Sequence, residues 1–515
     1  MKLTDYTSYA DAQKHFSTDA LWELFDGTEE KFNIAHECLD RHAHLEGPAI
    51  RIAHADGRDE AIGWAELAEA SSRCAHQLRE WGVRPGDTVA VLLEPSAAFY
   101  ISLFGILKTG AGFLPLFTLF GPDAIRARVT DCGAKLILST AEKRGAAGEA
   151  ACAPVKVADA GWIAGLSRFP GTFAWTTESR DLAIIQYTSG TTRQMPQAIR
   201  QTHRSLVTLM VSSLYGVGLR PGDRYCCPSS AAWGHGLWQG TLAPMAIGVA
   251  TTTYAGKFDP LRLLKALQDY RITTLSAAAT HYRMMKNSGA VPQYKLCLGK
   301  ISFAGEPLDT DTEDYIVQAV GAPMCSIYGT SEIGAVVVGY PGAPDLRVPR
   351  GSLGKPVPGV RMEVQDVEGR RCAPDEIGEM KVWRRGAWVP TRDLGFEDAS
   401  GFLFHGGRAD DVIISAGWTI SPMEVEDIIQ QHPDVRETAV VGLPDGLRGQ
   451  IVKAFVVAAR PGTLELVQEI QDLVRHRLGQ HEYPRAVEFL PELPKTPAGK
   501  INRRLLRDRP QKEAA

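Results

Sequence analysis

Residues 182–205 read LAIIQYTSGTTRQMPQAIRQTHRS, and this stretch carries most of the information about the fold. The apolar run LAIIQY is long enough for one buried strand, and it stops abruptly at the cluster TSGTT. Strands that are covered on both faces of a parallel sheet are typically continuous apolar runs of this kind. Ligands in such folds bind beyond the carboxyl ends of the strands. The stretch therefore predicts an α/β domain with a ligand-binding loop directly after this strand.

Similar apolar runs recur along the chain and alternate with helical stretches. An apolar helix is expected at about 96–108, and the strand candidates are 88–94, 135–140, 182–187, 272–279 and 300–305. Strands that alternate with helices indicate largely parallel sheets whose faces are covered. We therefore expect a large N-terminal α/β domain with mostly parallel sheets.

The organisation changes near residue 410. The run SPMEVEDII (421–429) begins like a helix, with Ser421 as its N-cap and Pro422 at its first position. Two strands and a further helix are expected after it, at 437–443, 452–459 and 464–478. These elements predict a small, mobile α+β domain. We place the boundary so that the N-terminal domain spans 1–409 and the C-terminal domain 410–515.

Composition excludes several classes of function. With 515 residues, 23% of them charged, and a formal net charge of −4, the chain gives no electrostatic case for a nucleic acid or a membrane surface as partner. The most apolar region, 95–121, is broken by Lys108 and by Gly and Pro, so we interpret it as buried core. Nine cysteines without a CxxC pair favour reduced thiols, and residues 1–16 lack a signal-peptide core. We expect a cytoplasmic protein, and a homodimer is the assembly left open.

Two hydroxyl-rich loops follow predicted strands. The first presents Thr188, Ser189, Gly190, Thr191 and Thr192, whose hydroxyls and amides could wrap a polyphosphate, although no GK[ST] follows as in a Walker A loop. In the second, YGTSEIG (328–334), Ser331 could contact an α-phosphate and the carboxylate of Glu332 could hold Mg²⁺. Taken singly, each is also compatible with a polar surface turn.

Two later motifs carry charge. In TRDLGFEDASGFLFHGGRADD (391–411), Asp393 could accept both hydroxyls of a ribose, and Arg408 could add a charged donor near the same sugar. In PKTPAGK (494–500), Lys500 stands on a loop rich in Pro and Gly that could swing into an active site. Alone, the first could be a solvated connector and the second a basic tail.

Together, in this order and spacing, the four motifs resemble the acyl-adenylate-forming superfamily, which includes acyl-CoA synthetases, peptide-synthetase adenylation domains and luciferases. The resemblance covers almost the whole chain and extends to AGEPL (304–308), VGLPD (441–445) and YPR (483–485). The segments 32–43 and 115–135 look most like the short- and medium-chain acyl-CoA synthetase branch.

The resemblance implies a mobile C-terminal lid and two half-reactions. The carboxylate of an acid first attacks the α-phosphorus of MgATP, and the thiol of coenzyme A then takes the acyl group from the acyl-AMP. It also implies roles for residues. Lys500 would act in adenylation with Ser331 and Glu332. Phosphate would be bound by Thr188–Thr192 and Arg193, and ribose by Asp393 and Arg408. Adenine would be lined by Gly305, Glu306, Pro307, Ser326, Ile327, Tyr328, Gly329 and Thr330. Asp410 would be the hinge, with Ala416 and Gly417 beside coenzyme A.

Two departures from the family pattern stand out. The family loop usually runs TSGTTGxPKG, but here Arg193 replaces a Gly and Gln197 stands where the Lys is expected. Arg193 or Arg200 is a candidate for the missing charge. Likewise, Arg392 stands where the family motif TGD has its Gly. These changes bear on catalytic efficiency more than on nucleotide binding.

The acyl pocket is expected in SSAAWGHGLWQG (229–240). Trp233, His235 and Trp238 are the candidates, although aromatic residues in an apolar stretch are also typical of plain core. Indole rings would shorten or flatten a cavity, which favours a short- or medium-chain, branched or aromatic acid.

The function predicted is thus an AMP-forming carboxylic acid–CoA ligase. Two alternatives stay open at this point. One is an acyl-AMP ligase that loads a carrier protein, and the other is a degenerate nucleotide- or acyl-CoA-binding protein with little catalysis.

Overall fold

The strand predicted at 182–187 is present as Leu182–Tyr187 and lies in a six-stranded sheet. In this computed structural model, the described residues are 1–149, 153–187, 198–330, 333–409, 411, 413–415, 418–445, 448–478, 482–496 and 500–509. The strands of the six-stranded sheet are, in spatial order, Val155–Val157, Ala134–Ser139, Thr88–Leu92, Gly112–Pro115, Leu182–Tyr187 and Ala198–Thr202. All pairs are parallel except the last, which is antiparallel.

A thirteen-stranded sheet forms the rest of the large domain. Its strands are, in spatial order, Met362–Gln365, Gly378–Arg384, Ala387–Glu397, Leu403–Arg408, Ser352–Pro356, Gly334–Val338, Met324–Thr330, Lys300–Ala304, Thr274–Ala278, Tyr225–Cys226, Thr251–Ala255, Pro48–His54 and Asp59–Gly63. The run from Met324–Thr330 to Pro48–His54 is parallel, and the pairs at both ends are antiparallel. The predicted α/β fold with mostly parallel sheets is confirmed, and antiparallel strands extend it toward the lid.

Helices cover the faces of these sheets. The α-helices are Tyr9–His15, Thr18–Trp22, Ile34–Cys38, Trp64–Glu80, Ala97–Lys108, Pro122–Asp131, Arg144–Glu149, Ala160–Gly165, Ser205–Ser212, Ala243–Ala246, Pro260–Asp269, Ala279–Ser288, Thr310–Val320, Pro422–Gln430, Leu464–Arg477 and Arg503–Arg507. Single turns of 3₁₀ helix occur at Leu3–Asp5, Asp40–His42, Leu166–Arg168 and Val291–Gln293, and π-helical segments at Ser213–Val217 and His235–Leu242. Within the described ranges, none of these helices combines the length and the apolar character that crossing a bilayer requires.

Lys108 ends the apolar helix Ala97–Lys108 and is buried in the core. Its Nζ lies 2.6 Å from Oδ1 of Asp40 and donates hydrogen bonds to the carbonyl of Ala68 and to Oγ of Ser72, both at 2.9 Å. Burial lowers the pKa of Lys108, and the nearby Asp40 carboxylate partly offsets this effect. A charge that interrupts an apolar run is thus satisfied inside the large domain.

The C-terminal region forms a separate five-stranded sheet, with strands Trp418–Ile420, Ile413–Ser415, Gly449–Ala458, Val435–Asp445 and Ala486–Phe489. Its helix Pro422–Gln430 begins as predicted, because Oγ of Ser421 accepts the amide hydrogen of Glu424. The last strand of the large sheet ends at Arg408 and the first of the small sheet begins at Ile413. The boundary at 409/410 lies between them and stays a prediction.

The segment that carries Lys500 is bonded within itself and, just beyond it, to the C-terminal domain. The amide of Thr496 donates to the carbonyl of Lys500 at 2.7 Å, and the amide of Asn502 donates to the carbonyl of Pro494 at 2.8 Å. Just beyond, Arg503 donates to both carboxylate oxygens of Glu426, at 2.8 and 2.7 Å. The first two bonds lie within residues 494–502, and the bond of Arg503 joins them to the helix Pro422–Gln430 of the C-terminal domain.

Candidate active site

Three distant segments meet at Gly305, directly after the strand Lys300–Ala304. Gly305 has a φ of +97°, and a Cβ built there would lie 2.7 Å from Cη2 of Trp233 and 3.5 Å from Cε of Lys500. The Nζ atom of Lys500 lies 6.0 Å from the centre of the Trp233 ring. A side chain at 305 would therefore be strained by its backbone angle and would collide with an indole ring. The fold thus brings the predicted lysine to the predicted adenine loop.

Arg283 orders the loop that continues from Gly305. Its Nη1 donates to Oε1 of Glu306 at 2.9 Å, its Nε to Oδ2 of Asp309 at 2.9 Å, and its Nη2 to the carbonyl of Pro307 at 2.6 Å. Burial alone would lower the pKa of Arg283, but the carboxylates of Glu306 and Asp309 raise it above its ordinary value. No pattern in the sequence indicated Arg283, because it lies in an ordinary helical run far from the motifs.

The predicted ribose residues lie on neighbouring antiparallel strands. Asp393 and Arg408 are directly opposite one another in the register of Ala387–Glu397 and Leu403–Arg408. The carboxylate of Asp393 is buried, with the residue 4% exposed; its Oδ2 accepts a hydrogen bond from the hydroxyl of Tyr328 at 2.6 Å. His405 is a second neighbour that the sequence did not indicate, since its Nε2 lies 3.5 Å from Oδ1 of Asp393.

Ser326, Ile327, Tyr328, Gly329 and Thr330 lie on the strand Met324–Thr330. This strand pairs in parallel with Lys300–Ala304, with Ile327 opposite Ala304, so both strands point toward the same edge of the sheet. Gly329 has no room for a side chain, because a Cβ there would lie 2.0 Å from the carbonyl oxygen of Gly334. The two segments predicted to line adenine are therefore neighbours.

The three acyl-pocket candidates have different surroundings. Trp233 lies against Gly305 and Lys500. His235 is buried, with Nδ1 3.0 Å from Oγ of Ser229 and Nε2 2.9 Å from Oγ of Ser276. Burial and the neighbouring His281 lower the pKa of His235 to about 3, so the ring is neutral at physiological pH.

Trp238 is also buried, and its indole N–H is shared between two glutamines. Nε1 donates to Oε1 of Gln186 at 3.0 Å and to Oε1 of Gln201 at 2.9 Å. Of the three candidates, Trp233 is the one that the geometry places beside the loop of Gly305 and the side chain of Lys500.

Several predicted residues lie outside the described ones. They are Thr188, Ser189, Gly190, Thr191, Thr192, Arg193, Ser331, Glu332, Asp410, Ala416 and Gly417. Arg200 is described, and it is exposed on the strand Ala198–Thr202.

Comparison with known proteins gives matches over most of the chain. The model of the AMP-binding enzyme family matches residues 39–389, and that of the AMP-binding enzyme C-terminal domain matches residues 424–500. The uncharacterized acyl-CoA ligase YtcI of Bacillus subtilis (strain 168) is 29% identical over 512 residues, which cover 93% of this chain and 96% of that protein.

Two solved structures are similar over nearly their full length. A Brucella canis acyl-CoA synthetase has 30% identity and a TM-score of 0.76, with 98% of each chain covered. The anthranilate CoA ligase AuaEII, solved in complex with anthranoyl-AMP, has 26% identity and a TM-score of 0.83, with 93% of this chain and 97% of that chain covered.

The sheets, the lid and the cluster around Gly305 thus occur in a chain that belongs to the AMP-binding enzyme family. Within that family it is an AMP-forming acid–CoA ligase that works through an acyl-adenylate, as the sequence predicted. Its cofactors are ATP, Mg²⁺ and coenzyme A.

Proposed function

We propose that this enzyme activates a short- or medium-chain, branched or aromatic carboxylic acid, and that Lys500 is its adenylating residue. The observation that carries the proposal is the position of Lys500, whose Cε would lie 3.5 Å from a Cβ at Gly305 and whose Nζ lies 6.0 Å from the Trp233 ring. An ammonium group there faces the space between the adenine loop and the acyl candidate. In this position it can act on the bond that forms between the acid and the nucleotide.

Lys500 would bridge the carboxylate of the acid and the α-phosphate of ATP. Negative charge builds up on the phosphate oxygens as the carboxylate oxygen attacks phosphorus and pyrophosphate leaves. A fixed cation that meets charge developing in the transition state contributes roughly 3–4 kcal/mol, by analogy with one oxyanion donor. The backbone bonds around Thr496 and Asn502 hold the lysine in place for this step.

The remaining nucleotide contacts are proposed from the sequence motifs and, for the described residues, are supported by the arrangement of the strands. Gly305, Glu306, Pro307 and residues 326–330 would line adenine, with Arg283 holding their loop. Asp393 and Arg408 would bind the ribose, and Thr188–Thr192, Arg193 and Ser331 the phosphates. Glu332 offers the carboxylate oxygen that Mg²⁺ prefers, and the ion would neutralise phosphate charge when bound.

For the second half-reaction we propose that the lid, residues 410–515, turns about Asp410. Ala416 and Gly417 would then lie beside the pantetheine arm. The thiol sulfur of coenzyme A attacks the acyl carbon, the bond from that carbon to the AMP oxygen breaks, and the thioester and AMP leave. Rotation would carry Lys500 away, since Arg503, three residues beyond it, is bonded to Glu426 on the helix Pro422–Gln430 of the lid.

The size of the acid is proposed from Trp233. Its indole occupies the space beside Gly305, so it limits how far an acyl chain can extend in that direction. A bulky ring restricts length more than width, which favours a compact or planar acid. The similarity to an anthranilate CoA ligase supports a small acid of this kind.

The test is a pyrophosphate-release assay over a panel of carboxylic acids, with and without coenzyme A. We expect CoA-dependent formation of AMP and of a thioester with compact acids, and weak activity with long-chain fatty acids. Release of pyrophosphate without any CoA thioester would favour the carrier-protein alternative, and binding without turnover would favour the degenerate one. Cell fractionation would test the proposed cytoplasmic location, and gel filtration the homodimer.

A further inference from the structure

The side-chain amide of Gln186 has a fixed orientation. Gln186 is the second-last residue of the strand Leu182–Tyr187, and its Oε1 accepts the indole hydrogen of Trp238 at 3.0 Å. An indole N–H can donate a hydrogen bond but cannot accept one. The oxygen of the amide must therefore face Trp238, and the nitrogen, Nε2, must point elsewhere.

This nitrogen is buried and has no hydrogen-bond partner within the part of the chain that the structure describes. A buried donor without an acceptor loses its hydration and gains nothing in return, so such groups are rare in folded proteins. An unpaired donor next to a binding site is explained when the acceptor arrives with the ligand.

The position of the amide connects it to the acid side of the active site. A Cβ at Gly234 would lie 3.7 Å from Oε1 of Gln186, so the amide lies against a residue without a side chain. The residue before it, Trp233, lies against Gly305 and Lys500. The amide of Gln186 therefore lies against the residue that directly follows Trp233, which limits the acyl group in the proposed function.

We propose that Gln186 determines specificity by donating from Nε2 to an oxygen on the acyl group of the substrate. The substrate class is then a compact carboxylic acid that carries a hydroxyl or carbonyl oxygen in addition to its carboxylate. This inference rests on the proposed function. A neutral amide donor matches a neutral oxygen. Gln186 lies in the six-stranded sheet, and the strands that carry the adenine and ribose candidates lie in the thirteen-stranded sheet.

The test compares Gln186→Met with Gln201→Met. Both glutamines accept from the same indole N–H, at 3.0 and 2.9 Å, so each variant removes one of the two acceptors of Trp238. The acids are matched pairs, butyrate with 3- and 4-hydroxybutyrate and benzoate with 2- and 4-hydroxybenzoate. For an oxygen-bearing acid that the wild type prefers, Gln186→Met should lower kcat/KM about tenfold to a hundredfold relative to kcat/KM for the matched acid without that oxygen. Gln201→Met should leave that ratio within about twofold of wild type.

A second variant separates the donor from the packing. Gln186→Glu keeps the shape and an acceptor for Trp238 but has no hydrogen to donate when ionised. Where its carboxyl is ionised, it should reproduce the lost preference for the oxygen-bearing acid. Because burial raises the pKa of a carboxyl, the ratio of kcat/KM is compared at pH 7 and pH 9, and it should fall further at pH 9.

Three results would overturn the assignment. They are a wild-type enzyme that does not prefer any oxygen-bearing acid, an unchanged ratio of kcat/KM in Gln186→Met, and an equal loss in Gln201→Met. A rise in the KM for ATP that is the same with every acid would instead place the amide at the phosphates and would also overturn it. Absence of a CoA thioester with every acid in the wild type contradicts the proposed function itself, so the two failures are distinguishable.

Discussion

Tyr328 donates its hydroxyl hydrogen to Oδ2 of Asp393 across 2.6 Å, and this bond joins two strands assigned to different parts of the nucleotide. Tyr328 belongs to the proposed adenine edge and Asp393 to the proposed ribose site. The hydroxyl thereby fixes one oxygen of a buried carboxylate whose other oxygen lies 3.5 Å from Nε2 of His405.

Tyr328→Phe should therefore weaken nucleotide binding. A hydrogen bond to a charged group contributes about 1.5–3 kcal/mol, so we expect the KM for ATP to rise roughly tenfold or more. The measurement is initial-rate kinetics at saturating acid. Tyr340→Phe is the matched control, since it removes a hydroxyl that donates to the carbonyl of Pro356 at 2.7 Å. An equal rise in the control would attribute the effect to general loosening.

Lys500→Ala should abolish adenylation and spare thioester formation from preformed acyl-AMP, because the ammonium is needed while pyrophosphate leaves. The rate of the first step should fall about 10²–10³-fold, as for loss of one transition-state donor. Single-turnover assays of each half-reaction measure this. Lys495→Ala, which breaks a 3.0 Å ion pair with Glu437, is the control on the same segment. Equal loss of both half-reactions in Lys500→Ala would contradict the proposed role.

Trp233→Ala should move the preference toward longer acids. Removing the indole opens the space beside Gly305, so kcat/KM should rise for acids two or more carbons longer than the best wild-type substrate. It should fall for that substrate itself by roughly 10–100-fold, because a compact acid loses its packing contacts. An equal loss of kcat/KM for acids of all chain lengths would show that Trp233 supports the loop and does not limit the length of the acid.

Asp427 should make stability depend on pH. It lies on the helix Pro422–Gln430, where burial and the carboxylates of Asp309, Glu426 and Glu424 raise its pKa to about 7, while Arg283 acts in the opposite sense. Between about pH 4 and pH 7 the folded protein holds this proton and the unfolded chain does not. Its contribution to the free energy of unfolding therefore falls as pH rises through that window, and levels off above it.

Asp427→Asn should remove this dependence. We expect little change below about pH 4 and a gain in the free energy of unfolding that grows to about 1–3 kcal/mol above pH 7. Urea unfolding at several pH values measures it. The control is Asp472→Asn, which removes the partner of Arg475 on the helix Leu464–Arg477 and should lower stability slightly. A gain that does not vary with pH would contradict the assignment.

Arg392→Gly should stabilise the protein. Arg392 has a φ of +64°, in the left-handed region that disfavours side chains with a Cβ, and the family motif has Gly at this position. Relief of the strain should raise the free energy of unfolding by up to about 1 kcal/mol, less the greater freedom of Gly in the unfolded chain. Chemical denaturation measures the change. Arg384→Gly, at the end of the strand Gly378–Arg384, should be destabilising instead.

The regular elements of this fold could be predicted because their causes are local. The helix at 96–108 and the strand at 182–187 appear as Ala97–Lys108 and Leu182–Tyr187. A continuous apolar run determines each of them, and a capping serine also determines where the helix begins. The N-cap at Ser421 could be predicted from the sequence in the same way. Parallel pairing followed from the alternation of strands and helices.

The contacts within the site could not be predicted in this way. The bond between Tyr328 and Asp393 depends on the order of strands in the large sheet, which no local pattern contains. Arg283 lies in the helical run ATHYRMMKNS and acquires its role from carboxylates 23 and 26 positions later. Trp233 and Trp238 lie in one apolar segment. Tryptophan is common both in acyl pockets and in plain core, so the sequence could not distinguish the two positions.

The bond that ties the Lys500 segment to the C-terminal domain also limits the turnover number. Because Arg503 ties this segment to Glu426 of the C-terminal domain, the lysine leaves the acid when that domain moves. If the lid turns as proposed, each thioester requires one departure and one return, so the turnover number cannot exceed the frequency of that cycle. A fluorophore on the exposed thiol of Cys297 and a second one on the helix Leu464–Arg477 would count these cycles in single molecules.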